Sequence, residues 1–313
     1  MSTGTSIDLH GQITLFEADP RAVRRLTEIY SHDLAQKLCA HLGVGCPPIR
    51  WLHPRTVRAA RAVNRAGADQ AGLDVSEIMS DLERGRLTVP PREHLAAGTR
   101  QAWCHEGLAS LARDVGKVDD SYTLGPAEGP IAPVRARVEE AAGVLGRVWP
   151  EAAAELDTLV RVIVYVDGAG FRSATLREMF GAVYAGVGFL DSVPACFEML
   201  LHEAGHHSLY LRNAFTVFVT NTAEVATHPL RPDPRPIGGI AHAAHVLARM
   251  ATGLDRWCRE PGAPEEARRR REDALDRLSQ TLRVLGDRAR WTPAGERYFA
   301  ELLARETALR SGT

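Results

Sequence analysis

The stretch MLLHEAGHHSLYL, residues 199–211, decides how the chain is interpreted, because it carries two histidines four positions apart. Positions i and i+4 of a helix lie on one face about 6 Å apart, so His202 and His206 can bind one divalent ion, with Glu203 projecting beside it. The same pattern also arises by chance on amphipathic helices. Burying two imidazoles and a carboxylate without partners would be unfavourable, however, so the stretch predicts a metal site on a helix.

Composition places the chain among globular proteins and argues against strong attraction to polyanions. Of its 313 residues, 45% are hydrophobic and 25% are charged, which is enough apolar material for a sizeable core. The formal net charge of −1 provides no global field toward nucleic acid or anionic membranes. The run RRRRED, residues 268–273, is predicted to be a solvated helix face. We therefore expect no nucleic-acid partner and no membrane partner.

Cysteine usage and the lack of long apolar segments predict a cytoplasmic protein. The five cysteines are scattered and form no CxxC pair, which argues against a disulfide framework and against a cysteine–zinc site. The first residues, MSTGTSIDLHGQITLF, lack the basic and apolar parts of a signal peptide. No uninterrupted apolar run approaches the length of about 18 residues that a membrane span needs.

Helical periodicity dominates the first part of the sequence. Apolar positions at helical spacing predict helices within residues 20–115, including the segments 19–43, 53–67 and 91–116. The Gly- and Pro-rich stretch at 119–134 is the clearest boundary in the chain. It divides the sequence into a helical N-terminal region, 1–130, and a metal-binding catalytic core, 131–313.

Two β-branched runs precede the HExxH helix. VRVIVYVDG at 160–168 and GAVYAGVGFLD at 181–191 are predicted strands. After the helix we expect a loop that ends in HPLRPDPRP, a helix from about 237 to 254, and two helices rich in Arg and Glu. The predicted fold is α+β and mostly helical, with a small β-sheet packed on the metal-binding helix.

A metal ion on this helix needs at least one further ligand, and the sequence offers four candidates. Glu224 lies 18 residues after His206, roughly where glutamate-type zinc peptidases supply their third ligand, and His228 follows in the same segment. His242 and His245 lie in GGIAHAAHVLARM, on the next predicted helix. Spacing alone does not choose among the four.

Two linked motifs resemble a known family. FGAVYAGVGFL, LLHEAGHHSLYL and HPLRPDPRPIGGIAHAAHVLARMATGLDRW together resemble the HExxH-containing peptide-modification proteins, described as Fe(II)- and 2-oxoglutarate-dependent peptide β-hydroxylases. In that family an Arg-x-Asp-Pro-Arg-Pro segment follows the HExxH helix and runs into Gly-Gly-apolar-x-His at the head of another helix. Here this second motif reads RPDPRPIGGIAH, residues 231–242, and the resemblance covers roughly residues 180–257.

The resemblance implies an oxidative metalloenzyme. It places the third ligand at His242, beside His202 and His206, and leaves Glu224 a structural or supporting role. It also implies Fe(II), 2-oxoglutarate as co-substrate, and O2. The implied reaction hydroxylates an unactivated carbon, β to a backbone carbonyl, in a peptide or an amino-acid-derived natural-product intermediate. Three neutral imidazoles leave the ion its full charge and open positions for 2-oxoglutarate and O2.

An oxygenase of this kind also needs a cation for the far carboxylate of 2-oxoglutarate. Arginine can hold a carboxylate through two hydrogen bonds, and the segment before the His242 helix offers Arg235 and Arg231. Arg249, farther along that helix, is a third candidate. The segment GFRSATLREMFG is expected to border the site, with Arg172 and Ser173 as candidate substrate contacts.

Glu203 has a different role in each functional hypothesis. In a zinc metallopeptidase of the HExxH type it is the general base that activates water. An iron oxygenase needs no such base, so Glu203 would orient a ligand or contact the substrate. Three histidines also suit zinc, and the zinc-peptidase alternative therefore stays open. A third hypothesis is a binding protein whose metal is only structural.

Overall fold

The computed structural model describes residues 18–66, 75–86, 90–96, 101–116, 124–228 and 231–312, and most of them are helical. The N-terminal sequence that was examined for a signal peptide lies outside these residues. The helices are α1 (Pro20–Leu42), α2 (Pro54–Ala66), α3 (Val75–Arg84), α4 (Ala102–Gly116), α5 (Ala132–Val148), α6 (Pro150–Leu159), α7 (Val193–Asn213), α8 (Ile237–Cys258), α9 (Glu265–Arg288) and α10 (Pro293–Ser311).

A small mixed sheet accompanies the helices and confirms the predicted α+β, mostly helical class. Its order is β1–β3–β5–β4, in which β3 pairs parallel with both β1 and β5 while β4 is antiparallel to β5. A short strand, β2, pairs antiparallel with the end of β3. Both predicted strand runs thus contain strands. The strands are β1 (Glu93–Ala96), β2 (Gly125–Pro126), β3 (Val162–Asp167), β4 (Ser173–Thr175), β5 (Ala182–Gly186), β6 (Val225–His228) and β7 (Arg231–Pro236).

The central strand β3 is buried on both faces, which explains why its sequence is apolar throughout. Alternate residues of a strand point to opposite sides. Ile163 and Tyr165 join the apolar cluster that includes Phe197 of α7. Val164 joins a second cluster, with Trp103 of α4. A strand covered by helices on both sides has no solvent face and therefore shows no polar alternation.

The prediction of one continuous helix over 91–116 is wrong in its first part. Glu93–Ala96 form β1, and α4 begins only at Ala102. The register pairs Glu93 with Val162 in a parallel ladder. On the same strand, His94 lies 2.8 Å from the Tyr165 hydroxyl. These long-range partners outweigh the helix propensity of the segment EHLA, which is a weak preference.

The prediction of a loop ending in HPLRPDPRP is also wrong, because β6 and β7 form a two-stranded antiparallel hairpin. Proline cannot donate to a strand ladder and is confined to edges and irregular positions. Both strands of this hairpin are edges, and their register shifts between Ala226 and His228. The hairpin runs directly into α8, whose predicted helix is confirmed, as are the two helices after it.

The sheet crosses the predicted boundary between 1–130 and 131–313. Strands β1 and β2 come from the N-terminal region, and both pair with β3 of the C-terminal one. Leu26 and Leu38 of α1 share an apolar cluster with Leu159 of α6 and Leu211 of α7. The two regions therefore share a sheet and part of a core. No helix in the part of the chain that the structure describes is long and apolar enough to cross a membrane.

Candidate metal centre

Helix α7 presents one open face. The Ser192 side chain accepts a hydrogen bond from a backbone N–H of the first turn and caps the helix start. Between residues 194 and 212, the side chains that are not buried are Glu198, His202, His206 and Tyr210. These four are spaced four apart, so they lie in one row along the helix. Both histidines of the HExxH pattern therefore face the same open side.

The two histidines direct nitrogen atoms at each other. His202 Nε2 and His206 Nε2 are 3.1 Å apart. Metal–imidazole bonds are about 2.0–2.1 Å long, so two nitrogens on one ion are about 3.0 Å apart at a right angle and about 3.4 Å apart at a tetrahedral angle. The observed separation falls within this range.

The protonation state of the pair suits metal binding. His202 Nδ1 lies 3.3 Å from the thioether sulfur of Met250, which has no proton to give, so this nitrogen carries the hydrogen. The neutral ring therefore presents a lone pair at Nε2. Burial lowers the pKa of His206 well below its ordinary value, and the neighbouring His202 and His242 lower it further. The His206 ring is thus favoured in its neutral form, the form that ligates metals.

His242, at the head of α8, lies beside this pair. Its ring centroid is 5.7 Å from that of His206 and 4.7 Å from that of Tyr210. Its Nε2 is 3.4 Å from the Asn213 side-chain nitrogen, while its Nδ1 is buried without a hydrogen-bond partner. Burial lowers the pKa of His242 to about 4, and the nearby Arg177 contributes to the shift. The third predicted imidazole is therefore neutral and adjacent to the other two.

The three rings do not converge on one point. Within the described ranges, no group of three or more His, Cys, Asp or Glu side chains is arranged to hold a metal ion. His242 directs Nε2 to Asn213 rather than to the gap between His202 and His206. The donor chemistry nevertheless fits a divalent ion, since two facing lone-pair positions and a third neutral imidazole lie together. Because the Asn213 amide nitrogen can only donate, His242 Nε2 is the acceptor in this contact and the buried Nδ1 carries the hydrogen.

Glu203 is buried directly behind the histidine pair. The Ser173 hydroxyl donates a 2.6 Å hydrogen bond to Glu203 Oε1, and that oxygen is 3.8 Å from His202 Nε2. Burial raises the pKa of Glu203 to about 8, against the lowering effect of the Ser173 bond. Ser173, predicted as a substrate contact, thus holds the glutamate of the motif.

Two of the alternative third ligands have other partners. Glu224 Oε1 lies 2.9 Å from an Arg290 guanidinium nitrogen on the half-exposed surface. His245 is fully buried, and its Nδ1 is 2.7 Å from the Tyr298 hydroxyl. The side chain of His228 lies outside the described residues. Of the three candidates whose side chains the structure describes, His242 is the one whose ring stacks on His206.

The predicted arginines occupy different environments. Arg235 is half-buried on β7, in the hairpin that leads into the His242 helix. Arg231 lies on the same strand, but its side chain is outside the described part of the chain. Arg249 is fully buried, and its Nη2 is 2.6 Å from Glu155. Full burial and this ion pair favour a structural role for Arg249 over the co-substrate anchor.

Arg177 is a cation beside the site that sequence reasoning missed. It begins a short 3-10 helix after β4. This segment runs along α7, from Ser173 to Phe180, whose ring lies 4.8 Å from a histidine ring of α7. Arg177 is exposed and close enough to lower the pKa of His242 and to oppose the burial-driven rise in the pKa of Tyr210. The segment GFRSATLREMFG was expected to border the site, but only tertiary structure singles out this residue.

The glycine of HEAGH lets α8 approach α7. A Cβ atom at Gly205 would lie 3.0 Å from Val246 Cγ1 and 3.5 Å from Arg249 Cδ. These distances leave no room for a larger side chain unless α8 moves. Because His242 is on α8, this close packing places the third imidazole beside the first two.

The chain was compared with known proteins at the level of families and of individual sequences. No protein-family model matches it, and no curated protein matches it.

Proposed function

We propose that the chain is a non-haem iron oxygenase that uses 2-oxoglutarate and O2 to hydroxylate an unactivated carbon, β to a backbone carbonyl, in a peptide or amino-acid-derived substrate. The observation that carries the proposal is the pair of Nε2 atoms of His202 and His206, 3.1 Å apart, on the open face of α7. The His242 ring stacks on that of His206, and in this proposal it supplies the third imidazole donor.

Each residue of the site has a distinct task in this proposal. His202, His206 and His242 hold the ion, and the bound iron with its co-substrate supplies the oxidising power. Ser173 fixes Glu203 behind the pair, where the carboxylate can orient a ligand. The motif RPDPRPIGGIAH supports the oxidative alternative over the hydrolytic one, because it resembles the corresponding segment of peptide β-hydroxylases.

A zinc metallopeptidase is the second candidate, and one observation favours it. Glu203 Oε1 lies 3.8 Å from His202 Nε2, and Glu203 Oε2 is buried without a hydrogen-bond partner among the described residues. A carboxylate with one free oxygen beside the ion is what a general base on water requires.

The variant Glu203→Gln distinguishes the two candidates. It keeps the shape of the side chain and removes its basicity, and general-base catalysis contributes about 10²–10⁴-fold. We expect this variant to keep converting 2-oxoglutarate to succinate with Fe(II) and O2, at a rate within about ten-fold of the wild type, because the oxidative reaction needs no carboxylate base. Succinate is measured by chromatography, and anaerobic addition of Fe(II) and 2-oxoglutarate to the wild type should give a visible charge-transfer band.

The opposite result is equally clear. If zinc-loaded wild type cleaves unstructured peptides, Glu203→Gln loses that cleavage, and neither protein forms succinate, the oxygenase proposal is wrong. His207→Phe serves as the matched control, because His207 is buried away from the open face of α7 and packs on Phe180.

The co-substrate anchor gives a second prediction. If Arg235 holds the far carboxylate of 2-oxoglutarate, Arg235→Ala should weaken 2-oxoglutarate binding by about 2–4 kcal/mol, as for the loss of one partner of a desolvated charge pair. Arg177→Ala should then have little effect. Titration of the charge-transfer band against 2-oxoglutarate measures both variants. A larger effect of Arg177→Ala than of Arg235→Ala would assign the anchor to Arg177. Metal affinity should stay unchanged in both variants.

A further inference from the structure

The open face of α7 continues beyond the histidines. Glu198 lies one turn before His202 in the same row, about 6 Å along the helix. It lines a cleft of about 360 Å³ formed between the start of α7, the residue before β4, and α9. Ligand sites typically begin at about 300 Å³. The cleft is wide open to solvent, and one of its lining residues, Glu198, lies one helical turn from the candidate metal centre.

The acidic side chains that line the cleft all have ion-pair partners, although two of them share one arginine. Glu198 lies 2.7 Å from an Arg270 nitrogen, and Glu266 lies 2.8 Å from another nitrogen of the same guanidinium. Asp273 pairs with Arg277 at 3.0 Å. One arginine thus serves two of the carboxylates, and the third has a partner outside the cleft.

Two arginines of the cleft are exposed, although Arg269 also lies close enough to Glu266 to help lower the pKa of that carboxyl. Arg172 and Arg269 both line the cleft and are exposed, and neither forms an ion pair with any residue the structure describes. The Arg172 guanidinium lies 5.4 Å from the centroid of the half-exposed Phe189 ring, which holds it at the rim. The run at 268–273 was predicted to be a solvated face. Arg269 fits that description, whereas Arg270 and Arg271 are bound to carboxylates of α7, α8 and α9.

The cleft is also connected to the site through the chain. Arg172 directly precedes Ser173, whose hydroxyl holds Glu203 behind the histidine pair. The backbone carbonyl of Arg172 accepts a 2.8 Å hydrogen bond from Gly186 N–H, so the segment is anchored on β5. A Cβ atom at Gly186 would lie 2.2 Å from the carbonyl oxygen of Phe171, so only glycine permits this close approach. Arg172 is therefore presented by a fixed piece of backbone.

We propose that this cleft is a substrate subsite that binds a carboxylate, through Arg172 and Arg269, next to the residue that is oxidised. The substrate class is then an acidic peptide, with the carboxylate supplied by an Asp or Glu side chain or by the C-terminus. The role of the cleft as a substrate subsite rests on the proposed function, but the preference of the cleft for carboxylates does not. The formal net charge of the chain is only −1, so overall charge does not attract carboxylates. The proposed preference comes from Arg172 and Arg269.

Carboxylate binding can be tested on the metal-free full-length chain. The probes are an acetylated, amidated alanine pentapeptide with a central glutamate, the same peptide with glutamine, and an all-alanine pentapeptide with a free C-terminal carboxylate. Exposed charge pairs contribute about 0.2–1 kcal/mol each, so two arginines should favour the glutamate probe over the glutamine probe by about two- to thirty-fold. NMR chemical-shift titration measures these weak affinities, and comparison of the two acidic probes identifies the source of the carboxylate.

The variants separate this subsite from general charge effects. Arg172→Gln with Arg269→Gln should abolish the preference, and both residues are exposed, so the fold is retained. Arg283→Gln, also exposed on α9 but distant from the cleft, should leave it unchanged. Glu198→Gln should strengthen binding of the glutamate probe, because it removes one of the two carboxylates that occupy Arg270.

Specific outcomes overturn the inference. Equal binding of the glutamate and glutamine probes by the wild type would show that the cleft has no carboxylate site. So would a loss of the glutamate preference in Arg283→Gln as large as the loss in the double variant. The proposed function would fail separately from the subsite inference if His202→Ala left metal binding intact and the protein still preferred the glutamate probe. Raising the salt concentration from about 0.1 M to 1 M shortens the screening length from about 10 Å to about 3 Å and should remove the preference.

Discussion

Replacing His242 with alanine is expected to lower the affinity for one equivalent of Fe(II) by more than about a hundred-fold, while Glu224→Ala leaves it nearly unchanged. Loss of a residue that only supports a ligand costs about 10–100-fold, and loss of a ligand itself should exceed this. His242 stacks 5.7 Å from His206, whereas the Glu224 carboxylate is paired with Arg290. Competition with a coloured chelator measures the affinity, with Co(II) or Zn(II) as air-stable substitutes for iron.

The reverse ranking would indicate a peptidase-like site in which Glu224 is the third ligand. An equal and small effect of both substitutions would mean that His202 and His206 bind without either residue. Thermal unfolding of both variants is the control for folding, because Asn213 loses a contact when His242 is removed. His245→Phe should leave metal affinity unchanged, since its ring faces Tyr298.

Glu155→Ala is expected to reduce the free energy of unfolding by about 3–5 kcal/mol, the range for breaking a buried ion pair from one side. Glu155 and Arg249 are both completely buried, and the closest distance between their charged groups is 2.6 Å. The Glu155 carboxylate also accepts a 2.7 Å hydrogen bond from the Asp19 N–H at the start of α1. Removing it leaves the guanidinium buried and uncompensated, with Arg212 3.7 Å from the same carboxylate.

A matched control lies two residues away on α6. Asp157 is largely exposed, although its 2.9 Å partner Arg92 is only 6% exposed, so Asp157→Ala should reduce stability by less than Glu155→Ala does. Urea-induced unfolding followed by circular dichroism compares both variants with the wild type. Comparable small losses at Glu155 and Asp157 would show that the buried pair does not stabilise the fold.

The features of the structure that depend on residues close together in the sequence could be predicted. His202 and His206 share a face because any α-helix places i and i+4 together, so their spacing alone predicted that the two imidazoles are neighbours on α7. The β-branched letters of β3 predicted a strand in the same way. The class of fold followed from these local patterns.

Features that depend on distant partners could not be predicted in this way. Strand β1 forms because the backbone of Glu93–Ala96 pairs with β3, and the letters EHLA contain no sign of that partner. The position of Arg249 on the predicted helix made it a candidate for the co-substrate anchor. Its guanidinium instead donates a hydrogen bond to Glu155, 94 residues away in the sequence. Arg177 gives no signal in the sequence, because its relevance comes from the approach of the 3-10 turn to His242. Contacts of this kind need the tertiary structure.

The parallel pairing of β1 with β3 also has a consequence for biosynthesis. Translation proceeds at about 5–20 residues per second, so β1 leaves the ribosome several seconds before its partner strand exists. During this interval β1 lacks its partner strand, and the apolar side of α1, already packed on α2 and α3, lacks the contribution of Leu159 and Leu211. The N-terminal region is therefore made first but completed late, and the nascent chain is most prone to aggregation before β3 emerges.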